Sequence, residues 1–350
     1  MKTIQIGGRK VGAGFPTYII AELSANHGQR FEEAVKLVHA AKASGADAIK
    51  LQTYTPDTMT ISCDLEPFKI KGGTPWDGRT LYDLYGEAYT PWEWHQKLKD
   101  LAESLGMDLF STPFDESSVD FLSSLDVPVY KIASFELVDL PLIQKVAKTG
   151  KPMIVSTGMA TVEEIGEAVE TIQSAGNSQI ILLKCTSAYP APESEMNIRT
   201  IPDMVSKFQV PVGLSDHTLG VVAPVAAVAL GACVIEKHFT LSRKDGGPDS
   251  AFSLEPHEFK EMVDAVRSTE SALGKSRYGV NTHEEKNKVF RRSLFVVKDI
   301  KAGETLSAES VRVIRPGHGL APKHLPSVLG KKANQDIQRG TPLAWELISE

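Results

Sequence analysis

The stretch that decides the fold is residues 213–240, GLSDHTLGVVAPVAAVALGACVIEKHFT. Its two ends belong to VPVGLSDH and ACVIEKHF, runs whose composition is typical of β-strands. The alanine- and valine-rich segment between them is long enough for a crossover helix. The stretch therefore predicts one βαβ unit, in which two parallel strands lie side by side and each ends in a histidine.

These two histidines, His217 and His238, form a candidate metal site. Because strand side chains alternate between faces, His217 points the same way as Ser215, and His238 the same way as Glu236. Neutral imidazole is a common metal ligand, and two of them with open positions leave room for water or a substrate oxygen on a divalent ion. The alternative is that each histidine is a hydrogen-bonded structural residue.

The chain before this stretch repeats the same unit. A predicted hairpin over residues 2–14 is followed by the runs TYIIAEL, ADAIKLQ, MDLFST, VYKIAS, PMIVST and IILLKCT, and VPVGLSDH and CVIEKHF bring the number of predicted strands to eight. Amphipathic helical stretches such as FEEAVKLVHAAKASG and TVEEIGEAVETIQSAG lie between most of them. Strands alternating with helices in this number predict an α/β fold, the (β/α)₈ TIM barrel, over residues 1–275.

Active sites of such barrels lie at the carboxyl ends of the strands, and those ends are polar in this sequence. Two strands carry Lys50 and Lys131 in otherwise apolar runs, where a lysine is costly to bury without an anionic partner. Lysines ringed by serine and threonine hydroxyls suit a small phosphorylated anion. The alternative is a Schiff-base aldolase with Lys131 as nucleophile. The metal-type histidine pair argues against it, because a bound cation already supplies the electrophile.

Composition and charge exclude several classes of protein. The 350 residues carry 44 acidic and 38 basic side chains, a formal charge of −6, without a basic stripe, so nucleic acid is not the expected partner. Cys63, Cys185 and Cys233 lack disulfide or zinc-ribbon spacing and indicate a reducing compartment. The start has no signal-peptide pattern, and the uncharged run 221–235 is shorter than the roughly 20 residues of a membrane span. We therefore expect a cytoplasmic protein that does not insert into a membrane.

The end of the chain predicts a second, smaller domain. Residues 276–290 are polar and predict a linker. Beyond it, DIKAGETLSAES at 299–310 resembles DIQRGTPLAWEL at 336–347, which predicts a compact β-rich module over residues 291–350. A module of about 60 residues is near the lower limit for independent stability and is expected to pack against something larger. A non-catalytic binding protein whose function resides in this tail is a further alternative, against which the polar strand ends argue.

Taken together, the strand-end motifs resemble one known family. AELSANH, KLQTY, FSTPF, YKIAS, VSTGM, KCTSAYP, GLSDHT and IEKHFT resemble, in this order, the sialic acid synthase family. RSLFVVKDIKAGE and RPGHGLAP resemble that family's C-terminal antifreeze-like (SAF) domain, so the resemblance spans nearly the whole chain.

Within the family, one long stretch points to a branch. Residues 68–94, FKIKGGTPWDGRTLYDLYGEAYTPWEW, resemble the pseudaminic acid synthases rather than the N-acetylneuraminate or legionaminate synthases. The alternative for the aromatic residues of this stretch is that several cover the barrel rim as ordinary core. They are Trp76, Tyr82, Tyr85, Trp92 and Trp94.

The resemblance implies a transferase reaction, in which phosphoenolpyruvate condenses with 2,4-diacetamido-2,4,6-trideoxy-β-L-altropyranose and water to give pseudaminic acid and phosphate. It implies a divalent ion, Mn²⁺, Mg²⁺, Co²⁺ or Zn²⁺, on His217 and His238. Glu22, Glu236 and Asp249 are the implied acid/base or orienting groups, with Glu22 handling the water. The residues implied to hold phosphoenolpyruvate are Lys50, Thr112, Lys131, Ser134, Ser156, Ser187 and Ser215.

Further substrate contacts are implied for Gln52, Tyr189 and Arg315. Arg315 lies in the tail, and the resemblance implies that it reaches the N-acetyl group of the sugar in the barrel of a partner subunit. The chain would then form a domain-swapped homodimer. The alternative is a solvated surface arginine.

Overall fold

The computed structural model describes residues 2–73 and 76–349. Residues 74–75 of the stretch that resembles the pseudaminic acid synthases lie outside the described residues, as do residues 1 and 350. The chain forms two compact units, Met1–Gly274 and Lys275–Glu350. Within the described ranges, no helix is long and apolar enough to cross a membrane.

The first unit is a closed barrel of eight parallel strands, which confirms the predicted TIM barrel. Neighbouring strands pair in chain order, and the last strand closes the ring by pairing with the first, with Val234 opposite Tyr18. After a hairpin of β1 (Ile4–Ile6) and β2 (Arg9–Val11), the barrel strands are β3 (Tyr18–Glu22), β4 (Ala48–Thr53), β5 (Asp108–Pro113), β6 (Tyr130–Ile132), β7 (Met153–Ser156), β8 (Ile180–Cys185), β9 (Val212–Asp216) and β10 (Val234–His238).

The barrel strands are buried on both faces, which explains why they are nearly continuous apolar runs. One face fills the barrel and the other packs under the surrounding helices, and a single apolar core joins the two layers. The helices of this unit are α1 (Phe31–Ala43), α2 (Pro56–Met59), α3 (Leu81–Ala88), α4 (His95–Ser104), α5 (Glu116–Ser124), α6 (Leu140–Ala147), α7 (Val162–Ser174), α8 (Thr200–Phe208), α9 (Val222–Ala229) and α10 (Pro256–Leu273).

Local sequence signals set where these helices begin. At the start of α7, Thr161 Oγ1 accepts the backbone N–H of Glu164 at 3.2 Å, and the Glu164 carboxylate accepts the N–H of Thr161 at 2.7 Å. This reciprocal capping box satisfies two N–H groups that the first turn leaves without helical partners. The crossover predicted between the two histidine-bearing strands is α9, which joins β9 to β10.

The hairpin covers the amino-terminal end of the barrel. Arg9 donates to the carbonyl of Gly106 at 2.9 Å and lies 3.6 Å from Asp47, so it joins the segments that precede β4 and β5. At the hairpin turn Gly7 has a φ of 50°, and a Cβ there would lie 2.3 Å from Asp108 Oδ1, so the turn requires glycine. The predicted site residues of the first unit lie near the opposite, carboxyl ends of the strands.

The second unit has its own small apolar core, which includes Leu294 and Leu343. In it β11 (Ser293–Val296) pairs antiparallel with β12 (Val311–Ile314), and a short helix, α11 (Leu325–Val328), follows. The two similar sequence segments pair with each other: Ile300 N donates to Ile337 O at 2.9 Å and Ile337 N to Ile300 O at 2.8 Å. The stretch predicted as a linker contains a 3-10 helix, Glu285–Phe290, and lies in this unit.

A fully buried ion pair ties β9 to β10, and each of its residues directly precedes one of the two histidines. Lys237 Nζ lies 2.5 Å from Asp216 Oδ2 and also donates to the carbonyl of Thr218, and neither charged side chain is exposed to solvent. Asp216 Oδ1 in turn accepts the N–H of Thr218 at 2.9 Å. Because a buried pair loses its hydration, it adds little net stability, but removal of one partner leaves an uncompensated charge.

We expect Lys237→Met to lower the free energy of unfolding of the barrel by about 3–5 kcal/mol, because it leaves the buried Asp216 carboxylate without its counter-ion. The double variant Asp216→Asn, Lys237→Met removes both charges, and the asparagine oxygen can still accept from Thr218. It should therefore be clearly more stable than the single variant. Urea unfolding midpoints measure both, and equal midpoints for the two variants would contradict the role assigned to the pair.

Candidate active site

Four charged side chains meet inside the barrel near the carboxyl ends of its strands. Lys50 Nζ lies 2.5 Å from Glu22 Oε2 and 3.7 Å from Glu236 Oε1. Lys131 Nζ also lies 3.7 Å from Glu236 Oε1. The four side chains are between 0% and 6% exposed, so two cations and two carboxylates share a nearly dry environment. Glu236 is the carboxylate that both lysines have in common.

Burial and charge shift the pKa values of these groups in different directions. Burial raises the pKa of Glu22, and the attraction of Lys50 only partly opposes this. Burial also acts to raise the pKa of Glu236, but Lys131 and Lys50 outweigh it and the net shift is downward. Burial lowers the pKa of Lys131, whereas for Lys50 the two carboxylates outweigh burial and the pKa is raised. Lys50 and Glu236 are therefore the groups held most firmly in their charged forms.

Hydroxyl groups surround the two ammonium groups, as the sequence predicts. Lys131 Nζ donates to Ser156 Oγ at 2.6 Å, and Lys50 Nζ lies 3.4 Å from Thr112 Oγ1. Ser215 Oγ donates to Glu236 Oε1 at 2.9 Å. Point charges beside short hydroxyl donors can bind a small anion with phosphate or carboxylate groups.

Gly158, in the loop after β7, gives this arrangement its shape. Its N–H donates to Ser134 Oγ at 3.0 Å. A Cβ at this position would lie 2.2 Å from Ser187 Oγ and 2.8 Å from Ser134 Oγ, so any larger residue would displace both hydroxyls. The glycine is required here by close approach rather than by backbone conformation.

The two histidines do converge, with ring centroids 5.3 Å apart. His217 Nδ1 lies 2.9 Å from the carbonyl oxygen of Thr186, so this nitrogen carries the proton and donates it, which leaves Nε2 as a free acceptor or ligand. His238 Nδ1 is buried and lacks a hydrogen-bond partner in the described structure. Burial and the neighbouring His217 hold the pKa of His238 well below its usual value, so its ring is neutral.

This donor set fits a divalent metal ion that takes two protein nitrogens and completes its coordination with oxygen atoms of water or substrate. The observations that support the fit are the buried, unpartnered nitrogen of His238 and the carbonyl that orients His217. Across residues 2–73 and 76–349, no group of three or more histidine, cysteine, aspartate or glutamate side chains is arranged to hold a metal ion. The protein's contribution at this place is therefore the histidine pair.

A cavity of about 410 Å³ lies at the carboxyl ends of the strands and contains both the charged cluster and the histidines. Part of its lining is apolar and comes from the segment between β4 and β5, including Met59, Ile70, Leu81, Trp76 and Tyr85. The aromatic residues of this segment divide into two groups. Trp76 and Tyr85 line the cavity, so they are not ordinary core. By contrast, Trp92 stacks on Phe121, and Trp94 is half-buried against the barrel core beside Phe31. Tyr82 donates its hydroxyl to Asp57 at 3.1 Å.

Most of the predicted site residues lie around this one cavity. Glu22 and Thr112 are buried beside Lys50, and Ser187 lies next to Gly158. Arg315 is exposed and belongs to the second unit, directly after β12, and its role stays a prediction. The predicted residues that line the cavity are Lys50, Gln52, Lys131, Ser134, Ser156, Tyr189, Ser215, His217, Glu236, His238 and Asp249.

Several lining residues were not predicted from the sequence. Glu136 lies two positions after Ser134 in the same loop, and burial raises its pKa to about 7. One of its carboxylate oxygens is buried without a hydrogen-bond partner in the described structure. Phe252 packs at 5.0 Å from the rings of both Tyr189 and His238. The signal that could have indicated Glu136 is its place as a carboxylate two positions after the predicted Ser134, whereas no local pattern distinguishes Phe252 from core.

Both units resemble known proteins. The NeuB family matches residues 37–278 and the SAF domain matches residues 291–349. The pseudaminic acid synthase of Campylobacter jejuni subsp. jejuni serotype O:23/36 (strain 81-176) is 52% identical over 93% of this chain and 95% of that protein. The pseudaminic acid synthase of Helicobacter pylori is 46% identical over 94% and 97%. The N,N'-diacetyllegionaminic acid synthase of Legionella pneumophila is 38% identical over 96% of each.

A solved structure also matches the whole chain. The spore coat polysaccharide biosynthesis protein SpsE of Bacillus subtilis superposes with a TM-score of 0.68 at 34% identity, covering 100% of this chain and 99% of the other. The likeness therefore includes both the barrel and the small second unit.

We expect Gly158→Ala to weaken the binding of inorganic phosphate about tenfold or more, because the new methyl group displaces the Ser134 and Ser187 hydroxyls. Overpacking of this kind costs about 1–3 kcal/mol, and 1.4 kcal/mol is tenfold in a dissociation constant. Isothermal titration calorimetry measures the affinity. Gly166→Ala in α7 is the matched control, since a Cβ there meets nothing within 4 Å. Equal affinities for the two variants would show that the glycine does not shape an anion site.

Proposed function

Because this chain belongs to the NeuB family, we propose that it makes a nonulosonic acid by joining phosphoenolpyruvate to an amino sugar, as a transferase. The sugar that we propose is 2,4-diacetamido-2,4,6-trideoxy-β-L-altropyranose, with pseudaminic acid and phosphate as products. The observation that carries the proposal is the content of one cavity: two buried lysines among hydroxyls, a pair of histidines and an apolar side. A cytoplasmic location is part of the same proposal.

Phosphoenolpyruvate carries a phosphate and a carboxylate, which is the kind of anion that this cluster can hold. In the proposal, Lys50 and Lys131 neutralise the ligand, and Ser134, Ser156, Ser187 and Thr112 donate hydrogen bonds to its oxygens. Ser215 joins them by turning its hydroxyl from Glu236 to the ligand when the ligand binds. Since Glu236 already lies against both lysines, it keeps the cluster close to neutral before the ligand binds and prevents two free cations from repelling each other. The bound ligand presents its C3 atom to the sugar aldehyde.

In the reaction that we propose, C3 of phosphoenolpyruvate attacks the aldehyde carbon of the open-chain sugar. The new C–C bond leaves a cation at C2, and the aldehyde oxygen takes up a proton. Water adds to C2 and loses one proton. The C2–O bond to phosphate then breaks as the new hydroxyl gives its remaining proton to the departing phosphate, which leaves the 2-keto acid and hydrogen phosphate. Glu22 is the proposed group for handling the water, and Glu236 and Asp249 are the further acid/base or orienting carboxylates.

His217 and His238 would hold the divalent ion, with their rings oriented by the carbonyl of Thr186 and by packing against Phe252. When bound, such an ion supplies Lewis-acid polarisation of the sugar aldehyde. Mn²⁺, Mg²⁺, Co²⁺ and Zn²⁺ all remain candidates, because two imidazoles and oxygen ligands accept each of them.

The apolar segment between β4 and β5 favours a 6-deoxy diacetamido sugar over N-acetylmannosamine. A 6-deoxy sugar ends in a methyl group and each acetamido group carries another, and these three methyl groups suit a lining of Met59, Ile70 and Leu81 better than hydroxyls would. The higher identity to pseudaminic acid synthases than to the legionaminic acid synthase supports the same choice. A legionaminate or N-acetylneuraminate substrate is the alternative.

A Schiff-base aldolase on Lys131 is the remoter alternative. Its lowered pKa would suit a nucleophilic amine, but Lys131 Nζ is hydrogen-bonded to Ser156 and to the carbonyl of Ile132. Borohydride would trap a Schiff base covalently on Lys131, and the proposed reaction forms no such bond.

The proposal also includes a homodimer, in which Arg315 of one subunit contacts the sugar in the barrel of the other. Support comes from the resemblance of the tail and from the exposure of Arg315 on its own unit, where the guanidinium is available to an external partner. Arginine suits this task because its fork of N–H donors can bind an amide carbonyl and hydroxyls together.

Phosphate release from phosphoenolpyruvate tests the reaction directly. We expect release only when sugar and a divalent ion are both present, and a fall on the order of 10²-fold or more after exhaustive chelation, restored by Mn²⁺. We expect the protein to release phosphate faster with the 6-deoxy diacetamido-altrose than with N-acetylmannosamine. A reversed preference would refute the proposed sugar, and activity that survives both chelation and His217→Ala would refute the metal site.

Complementation tests Arg315. The variants His217→Ala and Arg315→Ala should each be nearly inactive, since one has a defective barrel and the other a defective tail. After the two are unfolded and refolded together, mixed dimers would contain one site with an intact barrel and an intact tail, so activity should return. If activity does not return although mixed dimers form, Arg315 does not act across subunits.

A further inference from the structure

Ser24, two residues after the end of β3, has a backbone conformation that costs free energy for a serine. Its φ is 45°, in the left-handed region that glycine adopts without strain and other residues seldom occupy. Its side chain is buried, with 1% of the residue exposed. Strained residues of this kind persist where the surrounding structure holds them, and they cluster at functional sites.

The side chain of Ser24 joins two residues that line the cavity. Its hydroxyl donates to the Asp249 carboxylate and accepts the side-chain N–H of Gln52 at 2.9 Å. Its backbone N–H donates to Glu22 Oε1 at 3.0 Å, and Gln52 lies 3.3 Å from the same oxygen. Ser24 thus connects β3, β4 and the segment after β10. Its hydroxyl acts both as a donor, to Asp249, and as an acceptor, from Gln52.

The backbone alone does not explain why this residue is a serine. A glycine would keep the same φ without strain and would keep the N–H bond to Glu22. The hydroxyl is the part that glycine lacks, and its partners are the Gln52 amide and the Asp249 carboxylate. We infer that Ser24 is a positioning residue of the active site, whose hydroxyl holds Gln52 and Asp249 in the orientation that binds the sugar substrate. The inference rests on the proposed function.

The assignment to the sugar rather than to phosphoenolpyruvate follows from the neighbours of these two residues. The main-chain carbonyl of Pro248, next to Asp249, accepts the indole N–H of Trp76 at 2.8 Å, which places Asp249 beside the segment with the apolar lining. A carboxylate and an amide offer acceptors and donors for hydroxyl and acetamido groups. A carboxylate would repel the phosphate and carboxylate of phosphoenolpyruvate.

Two substitutions separate the hydroxyl from the backbone strain. Ser24→Gly removes both, and Ser24→Ala removes the hydroxyl but keeps the strained backbone, so the melting temperature of Ser24→Gly should lie about 2 °C or more above that of Ser24→Ala. Both variants lose the bonds to Gln52 and Asp249, so kcat/KM for the sugar should fall on the order of 10²-fold in both. In both variants the affinity for phosphoenolpyruvate, measured by calorimetry, should stay within about twofold of wild type, because the lysine cluster is untouched.

Gln209 provides a matched control, since it also has a positive φ, of 54°, but is exposed where α8 ends and before β9 begins. Gln209→Gly should raise the melting temperature without a change in kcat/KM. The inference is overturned if Ser24→Gly keeps wild-type kcat/KM, or if its affinities for sugar and phosphoenolpyruvate fall together. Wild-type protein that forms no product from phosphoenolpyruvate and any sugar would overturn the proposed function itself, and this inference with it.

Discussion

The contact on which the rest of the site depends is that of Glu236 with two lysines, 3.7 Å from Lys50 and 3.7 Å from Lys131. Two ammonium groups in a buried barrel repel each other and lose their hydration, so they cannot be kept there without a shared anion. Ser215, one strand away, donates to Glu236 and fixes the carboxylate between them. The parallel register that sets Glu236 opposite Ser215 is therefore a condition for the charged cluster as well as for the fold.

The cavity divides its tasks between strands and loops. The four groups of its charged cluster stand on β3, β4, β6 and β10, where hydrogen bonds to both neighbouring strands hold the backbone rigidly. Its apolar side comes from the segment between β4 and β5, which contains the short helices α2 and α3. Groups that must be placed to within a fraction of an ångström for chemistry belong on strands, whereas a lining that selects a substrate by shape can be carried by a longer connection. This division explains why the stretch that resembles one branch of the family lies in that connection.

Much of this arrangement could be predicted from the sequence, because strand periodicity decides which side chains face the barrel interior. That rule brings His217 and His238 together and places Lys50 and Lys131 in one cluster. It fails where the chain leaves the strands. Two features show this: Gly158 approaches two serines closely, and Ser24 has a left-handed conformation. Both depend on contacts between distant segments, so no local sequence pattern predicts them. The ion pair of Asp216 and Lys237 was also not predicted. Each residue directly precedes one of the histidines, and the strand ends were interpreted from the histidines alone.

The structure concentrates its unfavourable features at the carboxyl end of the barrel. Glu136, Glu236 and His238 each have a buried polar atom without a hydrogen-bond partner in the described structure, and all three line the cavity. Each such atom costs on the order of 1–3 kcal/mol unless something binds to it. The apolar core and the hairpin at the opposite end offset this cost. A ligand that satisfies these atoms offsets this cost, so binding and folding stability rise together by linkage. A cavity arranged in this way favours its ligands because the protein cannot satisfy these groups by itself.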